Sequence, residues 1–252
     1  MRYKIDNNRW QEAQEWEKNF WDKNIQNSKS LKNLNLFKTL IKNIISDGPD
    51  YNVNYWWSKE FDEYSFVPKL LHNVVEFGCG HTTNLRVILK GRRAKYVFAS
   101  DPLIRHYIKY RESPLSKKWR KGEYLLDDHP LEETPFCSDY FDLVVCINVL
   151  DHTRDVFLCM ENLIRVVKTN GILIFGQNLT SEDEIKASKE LRKSSQSDVG
   201  HPHTFPNEDI FLPYLKGFET LIHKVLKREE GYSPLWNTGT FIYAGKKSRS
   251  EV

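Results

Sequence analysis

The chain has no long apolar run, no paired cysteines and little charge imbalance. No stretch is long enough for a membrane helix and the mean hydropathy is negative, which excludes an integral protein built on helical spans. Lysine plus arginine number 37 and aspartate plus glutamate 34, a formal net charge of +3. So slight a balance gives no electrostatic argument for nucleic acid. The cluster Lys117, Lys118, Arg120 and Lys121 is the local exception and reads as a solvated loop or helix end. Four cysteines, Cys79, Cys137, Cys146 and Cys159, form no C-x-x-C pair. They suit reduced thiols in a cytoplasmic protein. The first residues carry no apolar core of a signal peptide. No repeat or low-complexity tract interrupts the 252 residues.

That length fits one generous domain, or one domain with an added cap. The organisation reads as two parts with a short tail: residues 1–69, residues 70–247 and residues 248–252. Five of the seven tryptophans lie in the first part: Trp10, Trp16, Trp21, Trp56 and Trp57. Trp10, Trp16, Phe20 and Trp21 approximate a helical stripe over residues 9–23. Leu34, Phe37, Leu40, Ile41, Ile44 and Ile45 predict a second amphipathic helix over residues 31–45, ended by Gly48 and Pro49. Residues 51–66 form another aromatic patch.

The most informative stretch is residues 73–83. Val74, Val75 and Phe77 make a buried strand that ends at Glu76 and turns through Gly78, Cys79 and Gly80. Two glycines let the backbone bend sharply and approach a ligand, and the helix that follows presents its N–H groups to it. A second apolar strand, residues 96–100, ends in Asp101 and Pro102. An acid at that place holds a ribose by its hydroxyls. Strands near 73–77, 95–100, 123–126, 141–147 and 171–177 alternate with helices near 82–90, 103–111 and 155–168, which predicts an α/β protein with a parallel sheet. A helix near 207–216 and two β-rich runs, 218–228 and 239–245, close the chain.

Three later blocks narrow the cofactor. Leu131, Glu132, Glu133, Thr134, Pro135 and Phe136 form one, residues 140–152 a second and residues 163–174 a third. With Glu76, Gly78, Cys79, Gly80 and Asp101, they resemble the class I S-adenosylmethionine-dependent methyltransferases over residues 70–247. The resemblance implies a Rossmann-like, seven-stranded, mostly parallel sheet in the order 3-2-1-4-5-7-6, with helices on both faces and an N-terminal helical cap. It implies S-adenosyl-L-methionine as cofactor. By motif, Glu76, Gly78, Cys79 and Gly80 face its methionine half and ribose. Asp101 binds the ribose hydroxyls and Pro102 lies on the adenine. Leu131 and Glu132 meet the adenine edge, while Ile147, Asn148 and His152 floor the sulfonium.

Two positions depart from the family pattern. Thr82 replaces the third small residue of the glycine loop, where its hydroxyl suits a helix cap. Pro130 stands where the family often has an adenine-binding acid, and Asp127 or Asp128 is the substitute. The alternative reading of Asp101 is a helix cap, and of His152 a turn cap. Asp151 reads as a structural acid.

Methyl transfer to a hydroxyl needs alignment and removal of a proton. His201 and His203, in the segment after strand five, are the candidate bases, since histidine titrates near neutral pH. Their alternative is a helix cap and a surface residue. Gln177 and Asn178 stand where metal-dependent relatives carry acids, so no metal is expected. His201-x-His203 alone is too little for zinc. The opening around Trp10, Trp16 and Trp21 resembles methyltransferases of bacterial capsule and surface-polysaccharide biosynthesis. That resemblance implies a small acceptor carrying a sugar hydroxyl or a phosphoramidate group. The alternatives are a small-molecule N-methyltransferase and a non-catalytic cofactor-binding subunit. A nicotinamide dehydrogenase is disfavoured by Thr83, which stands where a dinucleotide fingerprint wants Gly or Ala.

Overall fold

The computed structural model describes residues 3–32, 51–180, 199–227 and 239–249, with side chains of 26–32, 51–53 and 227 left aside. The expected helix over 31–45 and its stop therefore lie almost wholly outside the described residues. Helix α1 spans Asn7–Lys32, longer than the predicted stripe at both ends. Helix α2 follows at Tyr51–Glu60.

One sheet organises the rest. Its strands are β1 (Leu70–Phe77), β2 (Arg93–Ser100), β3 (Leu125–Asp127), β4 (Phe141–Ile147), β5 (Val167–Leu179), β6 (Phe218–Lys227) and β7 (Gly239–Lys247). The order is β3-β2-β1-β4-β5-β7-β6, with β7 antiparallel to both neighbours and the other pairs parallel. This is the expected order. Between the strands lie α3 (Leu85–Ile88), α4 (Ile104–Tyr107), α5 (Pro114–Arg120), α6 (Val156–Val166) and α7 (Leu212–Leu215).

Strands covered on both faces lose the apolar–polar alternation and become continuous apolar runs. Residues 73–77 and 143–147 are accordingly buried throughout. Successive side chains still point to opposite faces. Val74, Leu143 and Val145 join one core with Leu85, Ile88 and Ile174. Val75, Val144 and Cys146 join the other with Leu163, Phe175 and Phe241. Trp57, Phe61, Tyr64 and Val67 belong to the first core. The expected division at residue 69 thus falls inside one packed unit, and α2 is part of the layer beneath the sheet. Trp57 sits so close to β5 that a Cβ on Gly176 would lie 2.7 Å from its ring.

Local chemistry sets several boundaries. Asp155 caps α6 by accepting the amide of Leu158 at 3.2 Å. Ser113 caps α5 and Pro114 opens it. The basic cluster therefore forms a helix end, with Lys117, Lys118 and Arg120 in the last turn, where cations suit the helix dipole. The predicted helix near 207–216 shortens to Leu212–Leu215. No described helix is long and apolar enough to cross a membrane.

Candidate active site

A cavity of about 460 Å³ opens beyond the carboxyl ends of β1, β2 and β4, beside the place where strand order reverses. Ligands of open α/β sheets bind at that place. The loop after β1 makes its floor. Gly78 (φ +63°) and Gly80 (φ +53°) are left-handed, a backbone region that penalises side chains. Gly78 has a second constraint, since a Cβ there would meet Val149 Cγ2 at 2.3 Å.

Glu76 holds this loop from behind. Its carboxylate accepts the Thr83 hydroxyl at 2.5 Å, the Asn84 amide at 2.9 Å, Asn84 Nδ2 at 3.0 Å and the Leu85 amide at 3.3 Å. Burial raises its pKa, against the pull of those donors. Glu76 is absent from the cavity wall. The expectation that it faces the methionine half is corrected here: its oxygens are occupied in shaping residues 83–85. Thr82 lines the cavity, whereas Thr83, at φ +47°, supplies the hydroxyl that bonds Glu76.

Asp101 does face the cavity. It accepts the Gly80 amide at 3.1 Å and the Leu103 amide at 2.8 Å. A carboxylate offers about four lone-pair sites, so two such bonds leave acceptor capacity for hydroxyls. Burial pushes its pKa up to about 6, with the two amides opposing. Cys79 also lines the wall, and burial holds its thiol well above the ordinary range, hence neutral.

Pro102, Leu131 and Glu132 line one end with Leu103, His129 and Pro130. Neither proposed substitute acid reaches in. Asp127 accepts Ser100 Oγ and pairs with His129 Nδ1, both at 2.7 Å, while Asp128 pairs with Arg105 at 2.9 Å. Glu132 is likewise engaged, accepting the amides of Arg154 at 2.5 Å and Asp155 at 3.0 Å. His129 is the polar side chain that sequence reasoning missed at this end. Its pKa is raised by the hydrogen bond to Asp127.

Ile147, Asn148 and His152 line the opposite wall with His201. Asn148 is left-handed (φ +56°), and its Oδ1 accepts the Asn178 amide at 3.2 Å. His201 Nδ1 lies 2.8 Å from Asp151 Oδ2, and Gln177 Nε2 donates to Asp151 Oδ1 at 3.1 Å. Burial raises the Asp151 pKa, but the neighbouring His152 and His201 overcome it and hold the group below the usual carboxylate range. His203 is placed differently. It is 3% exposed, its Nε2 donates to the Thr153 carbonyl at 2.9 Å, and it stands outside the cavity wall. Burial lowers its pKa. His203 is corrected from candidate base to structural residue, because its ring points into the protein. Asp151, read from sequence as structural, is the partner that orients His201.

Helix α1 roofs the cavity with Trp10, Gln14, Trp16, Glu17, Phe20 and Trp21. Trp21 donates to Glu17 at 2.6 Å and packs edge-on to His81 at 4.5 Å. Among the described residues, no lysine or arginine lines the cavity.

Comparisons with known proteins agree with this architecture. The family described as "Methyltransferase domain" matches residues 50–210. The N-methyltransferase NodS from Bradyrhizobium japonicum WM9 superposes with a TM-score of 0.56 at 14% identity, covering 80% of this chain and all of that one. NodS with S-adenosyl-L-homocysteine bound gives 0.54 at 12% identity, over 77% of this chain and 85% of that one. A protein described as a sarcosine dimethylglycine methyltransferase candidate, from Galdieria sulphuraria, gives 0.58 at 11% identity, over 78% and 86%. At such identities the likeness shows the fold. A search of the curated proteins finds no match.

Proposed function

The chain belongs to the methyltransferase-domain family, with S-adenosyl-L-methionine as its cofactor, and from that premise we propose that it methylates a hydroxyl of a small polar acceptor held beneath α1. The observation that carries this reading is the cavity itself. The glycine loop, Asp101 and His201 come from three separate stretches of chain and meet around one space. Gly78 and Gly80 give the cofactor a close backbone approach, Asp101 takes its ribose hydroxyls, and Pro102 with Leu131 flanks the base. Cys79, Glu132, Ile147, Asn148 and His152 complete the wall. Bound there, the cofactor supplies a methyl group on a sulfonium leaving group.

The residues do the remaining work. Asp151 fixes the ring of His201, and His201 is the group placed to accept the hydroxyl's proton. Helix α1 covers the acceptor side with Trp10, Trp16, Phe20 and Trp21. Helix α1 acts as the cap, and the sugar-like acceptor fits the aromatic roof, where CH faces stack on Trp10 and Trp16. The described wall has no lysine or arginine to recognise an anionic group, which favours a sugar hydroxyl over a phosphoramidate. A place in capsule or surface-polysaccharide synthesis and a cytoplasmic setting belong to the same proposal and rest on the sequence resemblance.

A second reading is N-methylation. The described wall bears Glu17 and several aromatic rings, which suit an amine, and NodS is an N-methyltransferase. Calorimetry with S-adenosylhomocysteine, with NADH as control and Asp101→Ala alongside, tests the cofactor site. Micromolar binding lost in the variant is expected. Binding of NADH instead overturns the reading. Incubation with labelled S-adenosylmethionine and neutral, amino and phosphorylated sugars then separates the acceptors.

A further inference from the structure

Asp151, His152 and His201 present one donor atom each, all within 4.8 Å of one another; His152 and His201 line the cavity and Asp151 is buried behind them. Asp151 Oδ2 lies 2.8 Å from His201 Nδ1 and 3.8 Å from His152 Nε2. Two donors on one tetrahedral zinc ion lie about 3.3 Å apart. The observed separations bracket that value.

The groups behind these donors are those that a metal centre needs. His152 Nδ1 lies 2.9 Å from the Gly200 carbonyl. A carbonyl can only accept, so the proton is on Nδ1 and the lone pair of the neutral ring is on Nε2, the atom nearer Asp151. A second-sphere carbonyl fixes metal-binding histidines in this way. The other oxygen of Asp151 is held by Gln177 Nε2 at 3.1 Å, and Gln177 Oε1 accepts the Leu150 amide at 3.1 Å. Gln177 is fully buried and Asp151 is 8% exposed, so the carboxylate is held in a fixed orientation inside the protein. Three protein ligands with one side toward a cavity is the pattern of a site with an open position.

We propose that Asp151, His152 and His201 form a three-ligand site for a divalent transition metal, Zn²⁺ fitting the donor set best, with its open position toward the acceptor. The inference rests on the methyltransferase reading above and changes what activates the nucleophile. His201 becomes a ligand through Nδ1, and the ion lowers the pKa of a hydroxyl held beside it, whose proton passes to solvent. The expectation of no metal came from Gln177 and Asn178, where acids are absent after β5. In this site Gln177 serves as the support and the ligands come from the end of β4 and from residue 201. The other cluster of donors, Asp127, Asp128 and His129, lacks this arrangement, since Asp127 and Asp128 are engaged by Ser100 and Arg105.

The full chain, stripped with EDTA and then freed of chelator, is titrated with ZnCl₂ and with CoCl₂. One equivalent of saturable binding is expected, with a visible cobalt spectrum of low coordination number and paramagnetically shifted imidazole signals from two histidines. His152→Ala and His201→Ala each weaken zinc by at least ~tenfold, and Gln177→Ala weakens it with every ligand retained. Asp127→Asn leaves it unchanged. No saturable binding, or equal affinity in the His152→Ala/His201→Ala double variant, overturns the proposal. The wild-type cobalt signals decide the matter even where a variant fails to fold. S-adenosylhomocysteine binding is measured separately, so loss of the cofactor reading and loss of the metal site are distinguishable.

Discussion

Asp101 Oδ2 accepts the backbone N–H of Gly80 at 3.1 Å, tying the end of β2 to the turn after β1. The acid that faces the cavity therefore also fixes the glycine loop. Burial sets its pKa at about 6, above its ordinary 3.8. The folded protein thus binds this proton more tightly than the unfolded chain, and stability falls as pH rises between those two values. The full difference is on the order of 3 kcal/mol. Asp101→Asn is expected to flatten this pH dependence and to weaken S-adenosylhomocysteine by at least ~tenfold. Melting curves from pH 4 to 8 with calorimetry check both. Unchanged affinity would show that the carboxylate does not hold the ribose.

Gly78→Ala is expected to destabilise by roughly 2–4 kcal/mol, from left-handed backbone cost and overpacking together. The clash is with Val149 and the strain is with the backbone, so the two are separable. Adding Val149→Ala recovers the first part and leaves the second. Urea denaturation of Gly78→Ala, Val149→Ala and the double variant measures this, and full recovery in the double variant would remove the backbone argument.

The sheet was legible because strand patterns and glycine turns are local. Residues 141–147 match β4 at both ends, and the antiparallel pair at the chain's end lies where the blocks imply. What escaped were contacts made across the chain. Nothing in the sequence joins Asp151 to His201, fifty residues on, or tells that His203 turns inward to Thr153. Glu76 was found by its position at a strand end, but its direction depends on Thr83 and Asn84 folding back beneath it. The helical stripe of Trp10, Trp16 and Trp21 does not by itself tell core from roof, since both bury aromatic rings.

His203→Ala removes a buried hydrogen bond and a ring packed beside Tyr3. It is expected to cost about 1–3 kcal/mol in stability and to leave S-adenosylhomocysteine affinity close to wild type. Thermal unfolding and calorimetry on the same sample separate the two. A collapse of affinity without loss of stability would return His203 to the site.

Trp10, Trp16 and Trp21 all line the cavity, so ligand binding is expected to change tryptophan emission. Two of them are polar-coupled to it as well. Trp21 donates to Glu17, and Trp16 approaches His201 edge-on at 6.2 Å. Trp119 lies outside the cavity and is 39% exposed, which makes it a constant background. Trp16→Phe and Trp21→Phe keep an aromatic ring in place and are expected to remove much of the signal, each by its own share. Trp21→Phe also releases Glu17 from its indole partner and leaves that carboxylate facing His152, whose Nδ1 is 3.8 Å away. Titrating each protein with S-adenosylhomocysteine while recording emission measures the shares. An unchanged spectrum in the wild type, at concentrations where calorimetry shows saturation, would mean that α1 stands clear of the bound cofactor. The roof would then be assigned to the acceptor alone, and the same titration with candidate acceptors becomes the deciding one.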